Sequence, residues 1–428
     1  LFSSSFFATL VDAERMLIAV ANEPERLKGP TMDQFLTTRF FTYVQYKEDR
    51  RPLMVAPLME RTTPPKRLHE LIKAPENLPS SIERRESWDA TKPATVYLTP
   101  EVLPDGTPCT AATVILRTKG CTWWWKSGCT FCGYFNDVRD DVTAEDMLSQ
   151  WSDAKRMTND FEGCKMVKVY TSGTFFEDRE NPIDWQETVL RETYEMNLHL
   201  IIEAQAHLCK DDKLSWVSSI HPGCTVAIGL EAYDDAVLRF HVNKGFNLKT
   251  WHAAVERLRN YKLRVKTYLM FKPPFMSEGD ALSHSVRWIQ EVSQLSDEVS
   301  INPMNIQKKT IVDRIHRNRE YRPPWLWSLV KMIQESHNAV KESSCRVIVH
   351  PTAGGKIRGA HNCGKCDKEV VAAIERYSVS SEIDEFSDLS CECQSVWLDE
   401  INSDILTPAQ FGTGISRRGS PLRSMLAP

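Results

Sequence analysis

Residues 121–137 read CTWWWKSGCTFCGYFND, and the organisation of the whole chain follows from this stretch. Cys121, Cys129 and Cys132 are spaced CxxxxxxxCxxC, three thiols within twelve residues. Soft thiolates are the ligands of iron–sulfur clusters, and a [4Fe–4S] cluster normally takes four. Three close together without an obvious fourth suggest a cubane with one open iron, free to bind a substrate or cofactor. The same residues also allow a zinc site lacking one partner, although zinc usually draws paired ligands from paired turns. Trp123, Trp124, Trp125, Phe131 and Tyr134 would shield a cluster from water, or serve as ordinary core packing.

Working outward, TVYLTP at 95–100 and TVILRT at 113–118 are β-rich runs separated by the turn signal PDGT at 104–107. The second run delivers the chain to Cys121, so the cysteine loop directly follows a strand, the place where barrels carry catalytic loops. Beyond it, helical and β-rich segments alternate. Strands are expected at 166–173, 197–205, 224–231, 263–274 and 298–307. Helices are expected at 143–159, 184–196, around 233–240, at 248–261 and at 283–296. Such strand–helix units predict a parallel sheet of roughly six strands with helices outside. A helical region follows at 310–340, with Pro323-Pro324 suited to a helix start, and then a strand at 345–352. Three regions are expected: an N-terminal extension at 1–95, the sheet domain at 96–340, and a C-terminal domain at 341–428 ending in a flexible tail. Two helices are read near the start of the extension. Its residues 50–95 are broken by prolines.

The chain has 428 residues, 42% of them apolar and 26% charged, with a net charge of −4. This is a globular composition whose bulk charge gives no sign of a nucleic-acid binder; such a surface has to be a local patch. Residues 308–322 hold Lys308, Lys309, Arg314, Arg317, Arg319 and Arg322 against only Asp313 and Glu320. Lys262, Arg264 and Lys266 alternate, as on one face of a strand. Both runs are candidate phosphate contacts, and both read equally well as solvated faces. No apolar run is long enough to span a membrane, and LFSSSFFATL at the start lacks a basic leader, so a cytoplasmic protein is expected.

The 12 cysteines are clustered in a way that suits ligand sets rather than a disulfide framework. The second group is CGKC at 363–366 with CEC at 391–393. Cys363, Cys366, Cys391 and Cys393 would satisfy the tetrahedral preference of zinc, with His361 as a possible substitute. An auxiliary iron–sulfur cluster suits four cysteines as well, and four free thiols remain the bland alternative.

The stretch 121–134 resembles the cluster loop of the radical S-adenosylmethionine superfamily, in the branch with a wider first gap. TSGTFFED at 171–178, IGLEAYDDAVLRFHVNKGF at 228–246, KTYLMFKPPF at 266–275, INPMNIQKKT at 301–310 and the distal HNCGKCD and CEC are similar to segments of its archaeosine-pathway, elongator-type members. The resemblance covers roughly 85–420. It departs at Ser127-Gly128, where the family often has two glycines, and at Gln205-Ala206-His207 after Glu203, where a more charged run is usual. It implies a partial (βα)6 TIM-like barrel. Cys121, Cys129 and Cys132 would hold a [4Fe–4S] cluster whose open iron chelates S-adenosylmethionine. Thr171, Ser172 and Gly173, with Tyr134, would meet that cofactor. Glu203 and Glu231, at strand ends, would hold ribose hydroxyls or a substrate amine. Asn243 and Lys244 would face the active site or cap the next helix, while His221 and His252 are expected to be structural. The implied reaction acts on transfer RNA carrying a lysine-modified 7-cyano-7-deazaguanine base in the D-loop. A 5′-deoxyadenosyl radical breaks the C–N bond of the lysine side chain and leaves archaeosine. The implied partners are a lysine transferase of the archaeosine synthase type and a one-electron reductant.

Overall fold

The computed structural model describes residues 88–402, apart from Glu342; the helices and most of the arm expected before residue 88, and the tail from 403, lie outside the described residues. Eight strands form one sheet in sequence order, β1 (Thr95–Val102), β2 (Pro108–Ile115), β3 (Met166–Tyr170), β4 (His199–Ala204), β5 (Thr225–Glu231), β6 (Arg264–Phe271), β7 (Glu298–Pro303) and β8 (Arg346–Val349). β1 and β2 are an antiparallel hairpin, paired from Thr95↔Ile115 to Val102↔Pro108. β2 to β8 are all parallel, and β8 does not pair with β1, so the barrel stays open.

The parallel pairs require crossovers, and helices supply them. These are α1 (Thr122–Lys126), α2 (Ala144–Met157), α3 (Ile183–Glu195), α4 (Asp211–Ile220), α5 (Leu248–Asn260) and α6 (Glu278–Ser293), with α7 (Ile311–Arg317) and α8 (Leu326–Lys341) between β7 and β8. Three of the long crossover helices start where their sequences say they should. Thr143 and Asp146 close a capping box at α2, Asn247 accepts from Thr250 N at α5, and Ser277 accepts from Asp280 N at α6. After β5 the expected helix is instead a π-helix over Val237–Val242 that ends at Asn243 in the left-handed region. α4 was not expected at all: DDKLSWVSSI buries only Leu214, Val217 and Ile220, a stripe too short to stand out.

The period of two sorts each strand into an outer and a lumenal face. Val167, Val169, Leu200, Ile202, Val226, Ile228, Val265 and Leu269 join the core under the helices. Ala111, Met166, Ile201, Ala227 and Tyr268 gather in a separate lumenal cluster. The same face carries charge. Lys168 Nζ lies 2.6 Å from Glu101 Oε1 and donates to Thr99, and Lys266 Nζ lies 2.7 Å from Glu298 Oε1. Burial opposes ionisation of Glu101, yet Lys168 and Lys266 outweigh it and hold the carboxyl at about 2.

The sheet continues past residue 340 into the region expected to carry the C-terminal metal-binding domain. β8 is its seventh parallel strand, registered with β7 from Glu298↔Arg346 to Ile301↔Val349. α9 (Asp367–Ser380) and α10 (Cys393–Ile401) follow it, and Val347, Val370, Tyr377 and Trp397 share the main core.

The lumenal ion pair gives a direct test. Lys168→Met leaves the Glu101 carboxylate buried without its closest cation and is expected to cost about 3–5 kcal/mol in denaturant unfolding. Lys168→Met combined with Glu101→Leu is expected to recover most of that loss.

Candidate active site

The cysteine loop leaves the C-terminal end of β2 and is held from two sides. On one side is the turn after β5. Thr130 Oγ1 donates to His241 O at 2.6 Å, and Thr130 N donates to Val242 O at 3.0 Å. Asn243 Nδ2 donates to Gly128 O at 2.6 Å and to Ser127 Oγ at 2.9 Å, while Trp123 Nε1 donates to Asn243 O at 2.9 Å. On the other side is the loop after β7. Gln307 Oε1 accepts from Gly133 N, and Ile311 N donates to Thr130 O at 3.1 Å. Trp124 stacks on Phe135 at 4.8 Å between ring centroids and joins Val138 in a small core of its own. Asn243 is buried and spends its amide on the loop.

Cys121, Cys129 and Cys132 are unpaired, as are all the other cysteines. Burial pushes the Cys132 thiol up to about 12, so the trio is neutral until a metal draws off its protons. Gly173, at the end of β3, is pressed against the first of them. A Cβ there would meet Cys121 Cα at 2.8 Å, which explains a glycine at this point of TSGT. Thr171 is buried and Ser172 half-buried beside it. Tyr134 stands at the lip, 55% exposed. A thiol-only donor set in a loop braced against a glycine-bearing strand end fits a cluster with soft ligands.

Lys244 and Glu231 lie at the same rim, 3.0 Å apart. Burial works against the Lys244 charge, while the charge of Glu231 and its hydrogen bond act the other way, and the pKa of Lys244 is raised. Glu231 reaches this position through a β-bulge and a φ of 73°, a strained conformation for glutamate of the kind found at functional sites. Glu203 faces the lumen from β4 beside Tyr268 of β6.

Three further residues belong to the rim and were missed. Glu180 is buried, accepts from Thr118 Oγ1 at 2.7 Å and Thr174 N at 2.9 Å, and burial pushes its carboxyl up to about 7. Its setting in DRENP reads as surface loop, so no sequence signal marks it. Gln205 Nε2 lies 2.9 Å from Cys121 Sγ. Tyr170 of β3 lies 3.4 Å from Tyr268, hydroxyl to hydroxyl. His221 Nε2 donates to Leu198 O at 3.1 Å, and His252 Nε2 lies 3.2 Å from the Tyr233 hydroxyl.

The basic residues divide. Lys266 and Arg322 are buried, so neither contributes to a surface patch. Lys266 faces the lumen, and Arg322 donates to Pro323 O and His361 O and lies 4.0 Å over the Trp325 ring. Lys262 and Arg264 sit where β6 begins, the rim opposite the cysteine loop, and Arg264 lies 3.6 Å from Asp297. Lys308, Arg317 and Arg319 are exposed, with Lys309 and Arg314 half-buried. This group directly follows Gln307 and so lies beside the cysteine loop. Asn136 Nδ2 donates to Lys308 O at 2.9 Å.

Cys363, Cys366, Cys391 and Cys393 converge, with all four Sγ atoms within 4.8 Å of one another, a group able to hold a metal. Gly364, at φ 86°, makes the tight turn of the knuckle, and Asp367 Oδ1 accepts from Asn362 N at 2.7 Å. Trp327 Nε1 donates to Cys393 Sγ at 3.2 Å and Asn362 Nδ2 to Cys366 Sγ at 3.4 Å, the N–H···S support that metal thiolates receive. His361 instead bonds Gly359 O and stays outside the group.

A cavity of about 540 Å3 opens at the opposite rim. Its polar groups already serve one another: His199 with Thr225 at 2.8 Å, and Arg346 with Glu298 at 2.9 Å. The chemistry-bearing residues lie at the C-terminal ends of the strands, and that is the candidate active site.

The clamp on the cysteine loop is testable. Asn243→Ala removes two hydrogen bonds and places alanine in the left-handed region. Lower iron occupancy after reconstitution and faster loss of iron to a chelator are expected. Asn243→Gly relieves the backbone but not the lost bonds, and is expected to recover only part.

No profile of a known protein family matches the chain. Among solved structures it is similar to the archaeal Methanocaldococcus infernus Elp3 with an N-terminal deletion, at 14% identity and a TM-score of 0.42, covering 58% of this chain and 60% of that one. It is also similar to Streptococcus suis SuiB bound to S-adenosylmethionine, at 11% identity and a TM-score of 0.40, covering 54% and 48%. Among curated proteins, the archaeosine synthase subunit beta of Thermococcus kodakarensis is 31% identical over 309 residues, 70% of this chain and 94% of the relative. That of Methanosarcina acetivorans is 31% identical over 318 residues, 73% of this chain and 90% of the relative. With that identity over nearly the whole length of both relatives, the chain belongs to the archaeosine synthase subunit beta family.

Proposed function

We propose that this radical S-adenosylmethionine enzyme acts on transfer RNA bearing a lysine-modified 7-cyano-7-deazaguanine base, where it cleaves the C–N bond of the lysine side chain and leaves archaeosine. One observation carries the reading. Three thiols in a loop at the C-terminal rim of a parallel barrel meet a Lys244–Glu231 pair and the TSGT strand end, in a protein of this family. Cys121, Cys129 and Cys132 would hold a [4Fe–4S] cluster. Lys244 would meet a carboxylate and Glu231 ribose hydroxyls, while backbone carbonyls at 171–173 would accept from an ammonium group. When bound, the cluster and S-adenosylmethionine supply the radical that starts C–N cleavage; the protein's own residues bind, orient and exclude water. Trp123 and Trp124 keep solvent from the loop. A one-electron reductant, a cytoplasmic setting and a partner that attaches the lysine complete the reading.

The second metal is zinc on this reading. Four thiolates on a tetrahedral ion at about 2.3 Å are about 3.8 Å apart. Cys363–Cys366, Cys363–Cys391 and Cys366–Cys393 lie at 3.9, 3.7 and 3.7 Å. A cubane spreads four thiolates over four irons and needs wider spacing.

Two experiments test the proposal. In the first, anaerobically prepared protein is expected to cleave S-adenosylmethionine on reduction and to convert lysine-bearing tRNA, with archaeosine read by mass spectrometry. Replacing Cys121, Cys129 and Cys132 with alanine is expected to abolish both and to leave about one zinc per protein molecule and no iron. Residual iron at cluster stoichiometry would assign a cluster to the distal cysteines, and full activity would overturn the loop assignment.

In the second, the exposed basic group beside the loop is proposed to hold the tRNA backbone. Removing Lys308, Arg317 and Arg319 is expected to weaken tRNA binding and lower its salt dependence by about one unit of slope per lost phosphate contact. Lys262→Ala, at the far rim, is expected to leave the binding curve in place. Equal curves for both variants would remove the patch.

A further inference from the structure

Four carboxylates reach the lumen from the strands, and three have cations of their own. Glu101 pairs with Lys168 at 2.6 Å, Glu231 with Lys244 at 3.0 Å, and Glu298 with Lys266 at 2.7 Å and Arg346 at 2.9 Å. The fourth, Glu203, makes no ion pair among the described residues. Its partner is the Tyr268 hydroxyl, which is itself 3.4 Å from Tyr170. A phenol has one hydrogen to give, and a carboxylate is the stronger acceptor. Tyr268, 3.4 Å from Tyr170, therefore turns its hydrogen to Glu203 when that carboxyl is ionised, a neutral donor that meets the carboxylate without supplying a countercharge.

The setting makes this costly. Burial pushes Glu203 up to about 7, with Lys266 offsetting part of that effect and Glu231 and Glu180 adding to it. Yet Glu203, Tyr170 and Tyr268 each keep some accessible surface while standing on the inner face of the barrel wall, as side chains lining an open lumen do. An anion held deep in a protein, met by a neutral donor and open on one side, is completed by a cation entering from that side. A divalent metal would demand more oxygen ligands than one carboxylate and two phenols supply. A primary ammonium, with three N–H donors, matches the carboxylate oxygens and a phenol oxygen.

We propose that Glu203, held by Tyr268, is the lumen's receptor for a primary ammonium group on the substrate and selects for an aliphatic chain that ends in one. The proposal rests on the functional reading only in taking the lumen below the cysteine loop as the substrate's place.

The test uses the full-length protein with its cluster reconstituted, and two small probes, 1,5-diaminopentane and 1,5-pentanediol. Binding is read from the relaxation of probe methylene protons by the reduced cluster, which also reports proximity. The diamine is expected to bind at least about tenfold more tightly than the diol, a difference of about 1.4 kcal/mol. Glu203→Gln is expected to erase that preference, Glu203→Asp to keep part of it, and Tyr268→Phe to weaken it about threefold, the scale of one lost hydrogen bond. Iron content checks that each variant folds; should Glu203→Gln lose iron, the aspartate and phenylalanine variants carry the test. Equal binding of diamine and diol to the wild type, or a preference that survives Glu203→Gln, overturns the proposal. So does a tenfold rise in the S-adenosylmethionine Kd of Glu203→Gln with diamine binding intact, which would assign the carboxylate to ribose. The two readings separate cleanly. A wild type that prefers the diamine but never converts lysine-bearing tRNA keeps the ammonium site and sinks the tRNA assignment. Conversion of that tRNA by Glu203→Gln with KM unmoved does the reverse.

Discussion

The structure turns on how a loop with almost no core of its own is held still. Between Cys121 and Cys132 only Trp124, Gly128 and Thr130 are buried. The loop is fixed by hydrogen bonds to groups that the barrel already positions: the 241–243 backbone after β5, Asn243 itself, and Gln307 after β7. Each neutral bond contributes about 1 kcal/mol net, but together they set where three thiols stand relative to two different strands. The strength of the arrangement lies in the parallel sheet. The parallel strands all end at the same rim, so residues far apart in sequence, such as Thr130, Asn243 and Gln307, become neighbours there.

Much of this was legible because it is periodic or compact in sequence. The strands alternate, the helices carry caps, and the two cysteine groups declare themselves by spacing. What escaped was whatever depends on a distant partner. β8 is four residues long, and nothing in RVIV tells that it will pair with β7. Lys262, Arg264 and Lys266 do alternate, but the inward face belongs to a charged lumen, where Glu298 waits for Lys266. Arg322 looks like the end of a basic run and is instead enclosed by Trp325 and the His361 carbonyl. Asn243 sits in a family-like string that suggested an active-site position or a helix cap, and which group its amide meets, the Gly128 carbonyl, was not readable there. A residue's type is written in the sequence, but the direction in which its side chain leaves the backbone depends on register and on which face is filled.

The lumen also shows why a barrel of this kind tolerates so much internal charge. Its charged groups come mostly as matched pairs, so each cation's desolvation is offset by a carboxylate nearby. The layers near the N-terminal ends of the parallel strands are closed by such pairs. Toward the cysteine rim the matching gives way to single polar groups, Tyr170, Glu203 and Tyr268, and the interior changes from self-satisfied to receptive along one axis.

The π-helix after β5 has a consequence for how many residues this turn must hold. A π-turn holds one residue more than the α-turn it replaces. Winding the same six residues, Val237–Val242, as an ordinary α-helix with none deleted would swing the residue at their end by about 100° around the axis. Asn243 would then point away from Gly128, and His241 O and Val242 O would no longer face Thr130. The spare residue works as a phase setting. The number of residues in this turn and how they are wound, more than the identity of most of them, decide whether the rim and the cysteine loop meet in register.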